Sequence, residues 1–421
     1  MSNVQSKKMT PQIRYKNFSE EWSKKKYTET FDTSVSNNTL SRAELTTERT
    51  STQNVHYGDV LIKFDSILDV KNNEIPYIPE DVKIDSKNLL KNGDIVFADT
   101  AEDETCGKAT EINNVDDEKL VAGLHTFVAR PKIHFEPKYL GYFINSPAYH
   151  NQLIPFMQGT KVTSISKTSI QKTWINYPSS TEQNIIGDLF SQIDSLIAST
   201  QKEHDKLVTL KKCMLQKMFP KKGSLVPEIR FKGFTGDWKK KKLGDITEQT
   251  AEFTDPTKSN IELWSLTIKD GLTPKTDRYI RDFLVLKEDN YKKIQPGEIA
   301  YNPMNMPLGA VGFNTSDKAV AVSGYYVTMR TKNCDAAFLK TWMKTKQALN
   351  LYKASATGSL LEKQRVQYPT FSEIKTLFPS IPEQQKIGSY FQNLDNLISK
   401  QAAELEKLKN VKKTLLSKMF V

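Results

Sequence analysis

The sequence predicts an α+β protein in which two globular domains of mixed helix and strand are joined by two long helices of a coiled coil. One observation behind this prediction is an internal repeat: the segment from Glu182 to Phe219 recurs 201 residues later, from Glu383 to Phe420, without a gap. The other is the length of 421 residues, which exceeds one ordinary hydrophobic core and suits two domains with additional helices. Together they predict a pseudo-twofold chain.

Each copy of this repeat is predicted to be one long helix, since neither copy has an internal proline and each begins with Glu-Gln, after Thr181 or Pro382. Apolar residues recur at alternating steps of four and three, which is the heptad pattern of a coiled coil. The pattern favours pairing of the two helices with each other over packing of each helix on its own domain, and it leaves a parallel or antiparallel arrangement open. The predicted seam consists of Ile186, Phe190, Ile193, Ile197, Leu207, Ile387, Phe391, Leu394, Ile398, Leu405 and Leu408, with Thr200, His204 and Gln401 as polar members.

A second repeat opens each half of the chain. Pro11–Trp22 matches Pro227–Trp238, and a lysine run follows each copy, Lys24–Lys26 or Lys239–Lys242. Here the offset is 216 residues, so the segment between the two repeats is 15 residues longer in the first half. The lysines suit phosphate contacts and an ordinary solvated surface equally well. Because the ends of the two halves match and the middles hardly do, the pattern indicates a constant frame that carries two different binding segments.

The repeats also predict the domain boundaries. We expect an N-terminal domain at 1–180, a central helix at 181–220, a C-terminal domain at 221–380 and a distal helix at 381–421. Within the first domain, residues 120–128 are predicted to form one strand, and His125 is interpreted as a core or shelf residue of that strand. Trp22 and Trp238 are predicted to anchor the cores.

Composition narrows the setting and the partner. The net charge of +11 and a pI of about 9.1 make a polyanionic partner plausible. Three widely separated cysteines are typical of a reducing compartment. The chain has no apolar run of membrane-spanning length, so we expect a cytoplasmic protein with no membrane partner.

No catalytic, cofactor or metal motif is evident in the chain. Asn302-Pro-Met-Asn305 lacks the second proline and the aromatic residue of an adenine methyltransferase loop, and Gly107-Lys108 lacks the earlier glycine of a phosphate-binding loop. The histidines and cysteines show no metal-ligand spacing. The sequence therefore predicts a non-catalytic chain that holds neither a metal nor a cofactor itself.

The two Glu-Gln-x-x-Ile-Gly-x-x-Phe helix starts, the Pro-x-Ile-Arg-aromatic-Lys-x-Phe opening motifs and the Gly-acid-Ile turns resemble those of the specificity subunits of type I restriction–modification systems. The resemblance covers nearly the whole chain. It implies two target-recognition domains, each reading one half of a bipartite site in double-stranded DNA, and helices that pair antiparallel as a spacer. It also implies two methyltransferase (modification) subunits and restriction/translocase subunits as partners. S-adenosylmethionine, ATP and Mg would be bound by those partners, and the methyl group would go to adenine.

DNA contacts are expected in the variable segments, where Lys and Arg suit phosphates and Arg, Asn, Ser or Thr suit base edges. For any one of these residues, the alternative is an ordinary solvated side chain. The candidates are Asn38, Ser41, Arg42, Lys108, Thr160, Lys161 and Lys167 in the first segment, and Lys269, Lys275, Arg278, Asn302, Lys363 and Arg365 in the second.

Two other classes of function are compatible with the chain. A free-standing DNA-binding regulator predicts tight, specific DNA binding without companions. A coiled-coil adaptor without a nucleic-acid partner predicts no salt-dependent DNA binding. The doubled frame favours the specificity subunit, because a regulator needs no large constant surface on its helices.

Overall fold

The computed structural model describes residues 9–116, 118–159, 161–275, 291–358 and 364–421. The chain divides into two compact units. One comprises Met1–Gln201 with Ala403–Val421, and the other comprises Lys202–Ala402. Each unit therefore contains one variable segment together with parts of both long helices.

A mixed β-sheet forms the centre of the first unit. Ile95–Ala98 is its central strand, and all four residues are fully buried because apolar groups cover both faces. Pairing is antiparallel except between the last two strands in the order. The strand order is Phe31–Asp32, Thr126–Pro131, Ile95–Ala98, Ala109–Asn113 and Ile67–Asp69.

Shorter elements surround this sheet. The first lysine run lies in strand Ser23–Lys26, which pairs antiparallel with Trp174–Tyr177. The remaining strands are Thr52–Val55, Thr100–Ala101, Lys119–Ala122 and Thr163–Ser164, and the short α-helices are Tyr27–Thr30, Tyr57–Ile62, Tyr139–Ile144, Pro147–His150 and Lys167–Ile170.

The prediction of one strand over residues 120–128 is wrong. The chain forms Lys119–Ala122, turns at residues 123–125 and then enters Thr126–Pro131. His125 lies in that turn with a left-handed φ of 55°, and 48% of its side chain is exposed. The interpretation of His125 as a core or shelf residue of that strand is therefore wrong as well, because His125 lies in the turn between the two strands.

The second unit is built around an antiparallel sheet with the strand order Thr247–Thr250, Val327–Thr331, Ile299–Tyr301 and Val311–Phe313. The second lysine run, Lys239–Lys242, pairs with Lys375–Phe378, as the first run pairs with its own partner strand. The other strands are Phe253–Thr254, Trp264–Thr267, Gly271–Pro274, Tyr291–Ile294 and Val320–Val322, and the short α-helices are Leu243–Ile246, Pro256–Ser259, Ala336–Trp342, Lys346–Ser355 and Tyr368–Glu373.

Two helices of 38 residues each, the central helix Ser180–Lys217 and the distal helix Ile381–Lys418, confirm the predicted long helices. In the first unit, Lys412 forms an ion pair with Asp194, and the ring of Phe420 lies 5.7 Å from that of Phe190. Residue numbers thus fall along the distal helix as they rise along the central helix. Within this unit, the two helices run antiparallel.

The second unit repeats this arrangement with the partners exchanged. Lys211 of the central helix forms an ion pair with Asp395 of the distal helix, and the ring centroids of Phe219 and Phe391 are 6.1 Å apart. These four residues are the repeat counterparts of the four in the first unit. The helices are therefore antiparallel here as well.

Burial along the long helices follows the predicted heptad seam. All its apolar positions are buried or half-buried, and the polar member Thr200 is only 8% exposed. Leu405, the counterpart of the half-buried His204, is 9% exposed. By contrast, Leu196 and Leu397 lie one position before the seam and are about half exposed. The alternation of four and three thus identifies the covered side of each helix.

The Gln and Gly of the helix-start motif attach each helix to its domain. In the first unit, Gln183 accepts the backbone N–H of Glu136 at 3.0 Å and donates to the carbonyl of Pro178 at 2.9 Å. Gln384 makes the equivalent pair of bonds in the second unit, at 3.0 and 2.9 Å. A Cβ on Gly388 would come within 2.6 Å of the Phe338 nitrogen, so only glycine allows that close approach.

Trp22 and Trp238 are 4% and 3% exposed, which confirms both as core anchors.

In the part of the chain that the structure describes, no helix is both long and apolar enough to cross a membrane.

Candidate nucleic-acid interface

Three loops meet at one end of the central strand in the first unit. They are the strand end at Asp99, the turn containing His125, and the polar loop 158–164. The backbone N–H of Asp99 donates to the carbonyl of His125 at 3.0 Å, and the Ile165 N–H donates to the carbonyl of Asp99 at 2.9 Å. Asp99 therefore links the other two loops. We call these three segments the convergent loops of the first unit.

The second unit contains convergent loops of its own. They are the strand end at Asn302–Pro303, the turn containing Tyr325, and the loop 357–365, of which 359–363 lie outside the described residues. The Val366 N–H donates to the carbonyl of Pro303 at 2.9 Å. The guanidinium of Arg365 lies over the Tyr325 ring, 5.8 Å from its centroid. The same three kinds of segment therefore converge here.

Strand register shows that these loops are equivalent in the two units. Phe97 is paired with Phe127 in the first sheet, and Tyr301 is paired with Val327 in the second. His125 and Tyr325 each lie two residues before the paired residue. Each polar loop is likewise closed by a backbone bridge, Gln158 to Ser164 and Thr357 to Arg365. Ser164 thus occupies in the first unit the position that Arg365 occupies in the second.

Further polar groups border the first set of loops. Asn38 donates its side-chain N–H to the carbonyl of Ala122 at 2.9 Å, and Asn37 donates to that of Gly123 at 3.2 Å. Tyr57 packs edge-on against His125, with ring centroids 5.3 Å apart. Arg42 forms an ion pair of 2.5 Å with Asp59. Loop 37–42 and the start of helix Tyr57–Ile62 therefore extend this surface.

Electrostatics in this region favour a neutral His56. Burial lowers the pKa of His56, and the positive charge of Arg42 lowers it further against the opposing effect of Asp59. The ring of His56 also accepts the N–H of Gly58 at 3.2 Å and so caps helix Tyr57–Ile62. His56 therefore fixes the start of the helix, whose first residue is Tyr57.

A cavity of about 430 Å³ borders the second set of loops. The hairpin strand Trp264–Thr267, Lys275, and Ser323, Gly324 and Tyr326 of the turn line it. Lys292 donates to the carbonyl of Tyr326 at 2.7 Å, and burial lowers the pKa of this lysine. Lys292, in strand Tyr291–Ile294, thus holds the backbone of the turn that contains Tyr325.

The structure places the first-segment candidates in different roles. Ser41 hydrogen-bonds Glu44 at 2.6 Å, and Lys161 is exposed in the polar loop. Lys167 donates to the carbonyl of Thr33. Lys108 donates to the carbonyls of Leu61 and Phe64 at 2.9 and 3.0 Å, an internal role that holds the end of a helix. Thr160 lies outside the described residues.

The second-segment candidates are also spread along the surface. Lys269 is exposed at the tip of the hairpin, and Lys275 lines the cavity. Asn302 accepts the N–H of Met304 at 3.0 Å and so shapes the strand-end loop. Arg365 is exposed over Tyr325. Arg278 and Lys363 lie outside the described residues.

Sequence reasoning missed the aromatic members of both surfaces, Tyr57 and His125 in the first unit and Trp264 and Tyr325 in the second. A signal for two of them was present: His125 and Tyr325 each follow a glycine by one or two residues, between two apolar runs. That pattern is typical of a turn between strands.

Among the described residues, no group of three or more His, Cys, Asp and Glu side chains could hold a metal ion.

Comparisons with known proteins agree with this architecture. The family model described as the type I restriction modification DNA specificity domain matches residues 14–209 and, a second time, 235–410. A protein of Methanocaldococcus jannaschii, named as a type I restriction enzyme MjaX specificity subunit, is 25% identical over 382 residues, covering 84% of this chain and 83% of its own.

Among solved structures, the S subunit of a type I restriction–modification system from M. genitalium is similar with a TM-score of 0.62. The identity is 14%, and the match covers 98% of this chain and 99% of the other. The solved structure supports the fold, and the doubled family match extends over most of both halves. The chain therefore belongs to the family of type I restriction–modification specificity subunits.

Proposed function

We propose that each unit reads one half of a bipartite site in double-stranded DNA through its convergent loops. The observation that carries this proposal is the equivalence of the two loop sets in backbone and their difference in side chains. A shared backbone presents two surfaces in the same way, while different side chains select different bases. The net charge of +11 suits the phosphates of the duplex.

The long helices are proposed to space the two half-sites and to dock two methyltransferase subunits. Support comes from exposed apolar side chains outside the seam. Leu196 and Leu397 are 50% and 48% exposed and are repeat counterparts, as are Leu210 and Val411 at 38% and 41%. Repetition of the same apolar positions offers the same docking surface twice, which suits two copies of one partner.

In this proposal the chain chooses the site and its partners carry out the chemistry in the cytoplasm. The methyltransferase subunits bind S-adenosylmethionine and transfer its methyl group to N6 of adenine. Restriction/translocase subunits use ATP and Mg. The chain itself acts as a non-catalytic subunit of the complex.

Genome-wide methylation mapping of cells with and without this chain tests the proposal. We expect a bipartite methylated motif that is present only with the chain, and neither nuclease nor methyltransferase activity in the purified chain alone. Methyl transfer by the isolated chain would overturn the non-catalytic assignment. If the chain showed no salt-dependent DNA binding, alone or assembled with its partners, it would be a coiled-coil adaptor instead.

A further inference from the structure

An exposed ring lies in the turn before strand Thr126–Pro131 in the first unit and in the turn before strand Val327–Thr331 in the second. His125 has 48% of its side chain exposed, and Tyr325 is 45% exposed. Each ring contacts a charged group: Asp99 lies beside His125, and Arg365 lies over Tyr325. An exposed ring with a charged neighbour at the same position of two otherwise divergent segments indicates a shared role with different chemistry.

In the second unit, the charged neighbour is a hydrogen-bond donor. Arg365 is exposed, and its guanidinium lies over the ring of Tyr325. Its position 5.8 Å from the Tyr325 ring centroid limits the orientations of the guanidinium plane. The backbone bridge between Thr357 and Arg365 holds the base of the side chain. The result is a planar donor fork held at the closed end of loop 357–365, beside the turn that contains Tyr325.

In the first unit, Ser164 replaces the arginine and the imidazole itself is the polar group. His125 Nδ1 lies 3.3 Å from a carboxylate oxygen of Asp99, which also accepts from the hydroxyl of Thr100 at 2.8 Å. A carboxylate beside Nδ1 favours the tautomer with hydrogen on that nitrogen. In neutral His125, Nε2 is then a hydrogen-bond acceptor. The backbone of His125 has a left-handed φ of 55°, and its ring packs against that of Tyr57.

We propose that this turn carries one base-reading group in each domain: Arg365, held on Tyr325, reads a guanine in one half-site, and His125, held on Asp99, reads a base with an exocyclic amine in the other. The inference rests on the proposed function and names the residues that perform it. A guanidinium fork matches the O6 and N7 acceptors of guanine in the major groove. An acceptor nitrogen matches the amine of adenine or cytosine. Asp99 and Tyr325 are positioning residues in this arrangement.

The test measures the base preference at every position of the site. The full chain, assembled with the modification subunits produced alongside it, selects from a randomised duplex library, and its methylated motif is mapped in cells. We expect Arg365→Ala to reduce preference for one guanine from roughly tenfold or more to about threefold or less, in one half-site only. His125→Phe keeps a ring without the acceptor and should relax one position of the other half-site to a similar extent.

A conservative variant separates base reading from support of the turn. Tyr325→Phe retains the ring beneath Arg365 and should leave the guanine preference within about twofold, whereas Tyr325→Leu removes the ring and should weaken that preference. If Tyr325→Leu unfolds the domain, the Arg365→Ala result still decides the proposal, because Arg365 is exposed. An unchanged base preference in both Arg365→Ala and His125→Phe would overturn it.

Matched control variants lie in the same domains. Arg330→Ala removes an exposed arginine that pairs with Glu248 at 2.8 Å, and His134→Asn removes an exposed histidine that lies 3.1 Å from Glu136. Both variants should select the same DNA motif as the wild-type chain, with the same base preference at every position. If the wild-type chain selects a bipartite motif and the test variants keep it, the inference fails and the proposed function stands. If the wild-type complex selects no motif, the proposed function itself fails.

Discussion

The guanidinium of Arg14 donates to both carboxylate oxygens of Glu182, each at 2.8 Å. Arg230 and Glu383 repeat this bidentate pair in the second unit, at 2.7 Å for both bonds. The partners are 168 residues apart in the first pair and 153 in the second. One contact thus closes both variable segments in spite of their different lengths, which explains why the opening motif and the helix start recur together.

Loss of one partner of this pair should be strongly destabilising. Arg14→Ala leaves the carboxylate of Glu182, whose side chain is 2% exposed, without its counter-ion. We expect the free energy of unfolding of the first unit to fall by about 3–5 kcal/mol, measured by chemical denaturation. Arg14→Lys should also be destabilising, since an ammonium cannot reproduce the bidentate geometry.

An exposed ion pair in the same unit serves as the control. Arg49 lies 3.3 Å from Glu118, and their side chains are 77% and 40% exposed. Arg49→Ala should cost less than about 1 kcal/mol. Equal effects of the two substitutions would contradict the structural role assigned to Arg14.

The heptad seam and the exposed helix faces can be separated by two matched substitutions. Leu405→Asp places a carboxylate at a seam position that is 9% exposed, so we expect a large loss of thermal stability and of complex assembly. Leu397→Asp changes a leucine that is 48% exposed and should alter stability by only about 0.5 kcal/mol.

Leu397→Asp should nevertheless weaken assembly with the methyltransferase subunits, if its exposed face is the proposed docking surface. Calorimetry gives the stability of both variants, and size-exclusion chromatography with the modification subunits gives their assembly. Wild-type assembly by Leu397→Asp would exclude this leucine from the docking surface.

A buried carboxyl makes stability depend on pH. Glu111 is 3% exposed and accepts the N–H groups of Lys138 and Gly141 at 2.6 and 2.8 Å. Burial outweighs these donors and raises the pKa of Glu111 from 4.5 to about 7. Below pH 4.5 the group is protonated in both states, and between 4.5 and 7 only the folded state keeps the proton. Rising pH in this window therefore favours unfolding.

We expect the Glu111 contribution to fall by about 3 kcal/mol between pH 4.5 and 7, in unfolding titrations at several pH values. Glu111→Gln cannot titrate and should flatten the pH dependence of stability across that window. A pH profile of the Gln variant that is parallel to the wild type would show that Glu111 is ionised in the folded protein.

Exchange of a variable segment should alter one half-site. Replacing residues 27–178 with the matching segment of another specificity subunit keeps the opening motif and both helices. Because the first set of convergent loops lies within this segment, we expect one half of the methylated motif to change and the other half to remain. Simultaneous change of both halves would contradict independent reading by the two domains.

Longer helices should lengthen the gap between the half-sites. One additional heptad after Ser199 and another after Lys400 keep the seam in phase and extend the paired helices by about 10 Å. At about 3.4 Å per base pair, the gap should grow by roughly three base pairs. Selection from duplexes with randomised spacers measures this growth apart from the accompanying rotation of the half-sites. An active variant with its original spacing would show that the helices do not set it.

The sequence alone determined the frame of this protein. Repetition of the helix start and of the opening motif predicted two halves, and steps of four and three predicted the covered positions from Ile186 to Leu408. Those positions can be read locally, because a heptad seam depends only on the periodicity of one helix. The same applies to Trp22 and Trp238, whose large apolar rings accompany a repeated motif.

Only the tertiary structure decided which groups meet at the candidate DNA surface. Asp99, His125 and the loop before Ile165 are distant in sequence and come together through strand pairing. The sequence alone makes Lys108 a candidate for DNA contact, and only the structure shows that its ammonium donates to the carbonyls of Leu61 and Phe64. The left-handed turn at His125 likewise interrupts what reads as one continuous apolar strand. Such contacts depend on the register between strands, which no local pattern specifies.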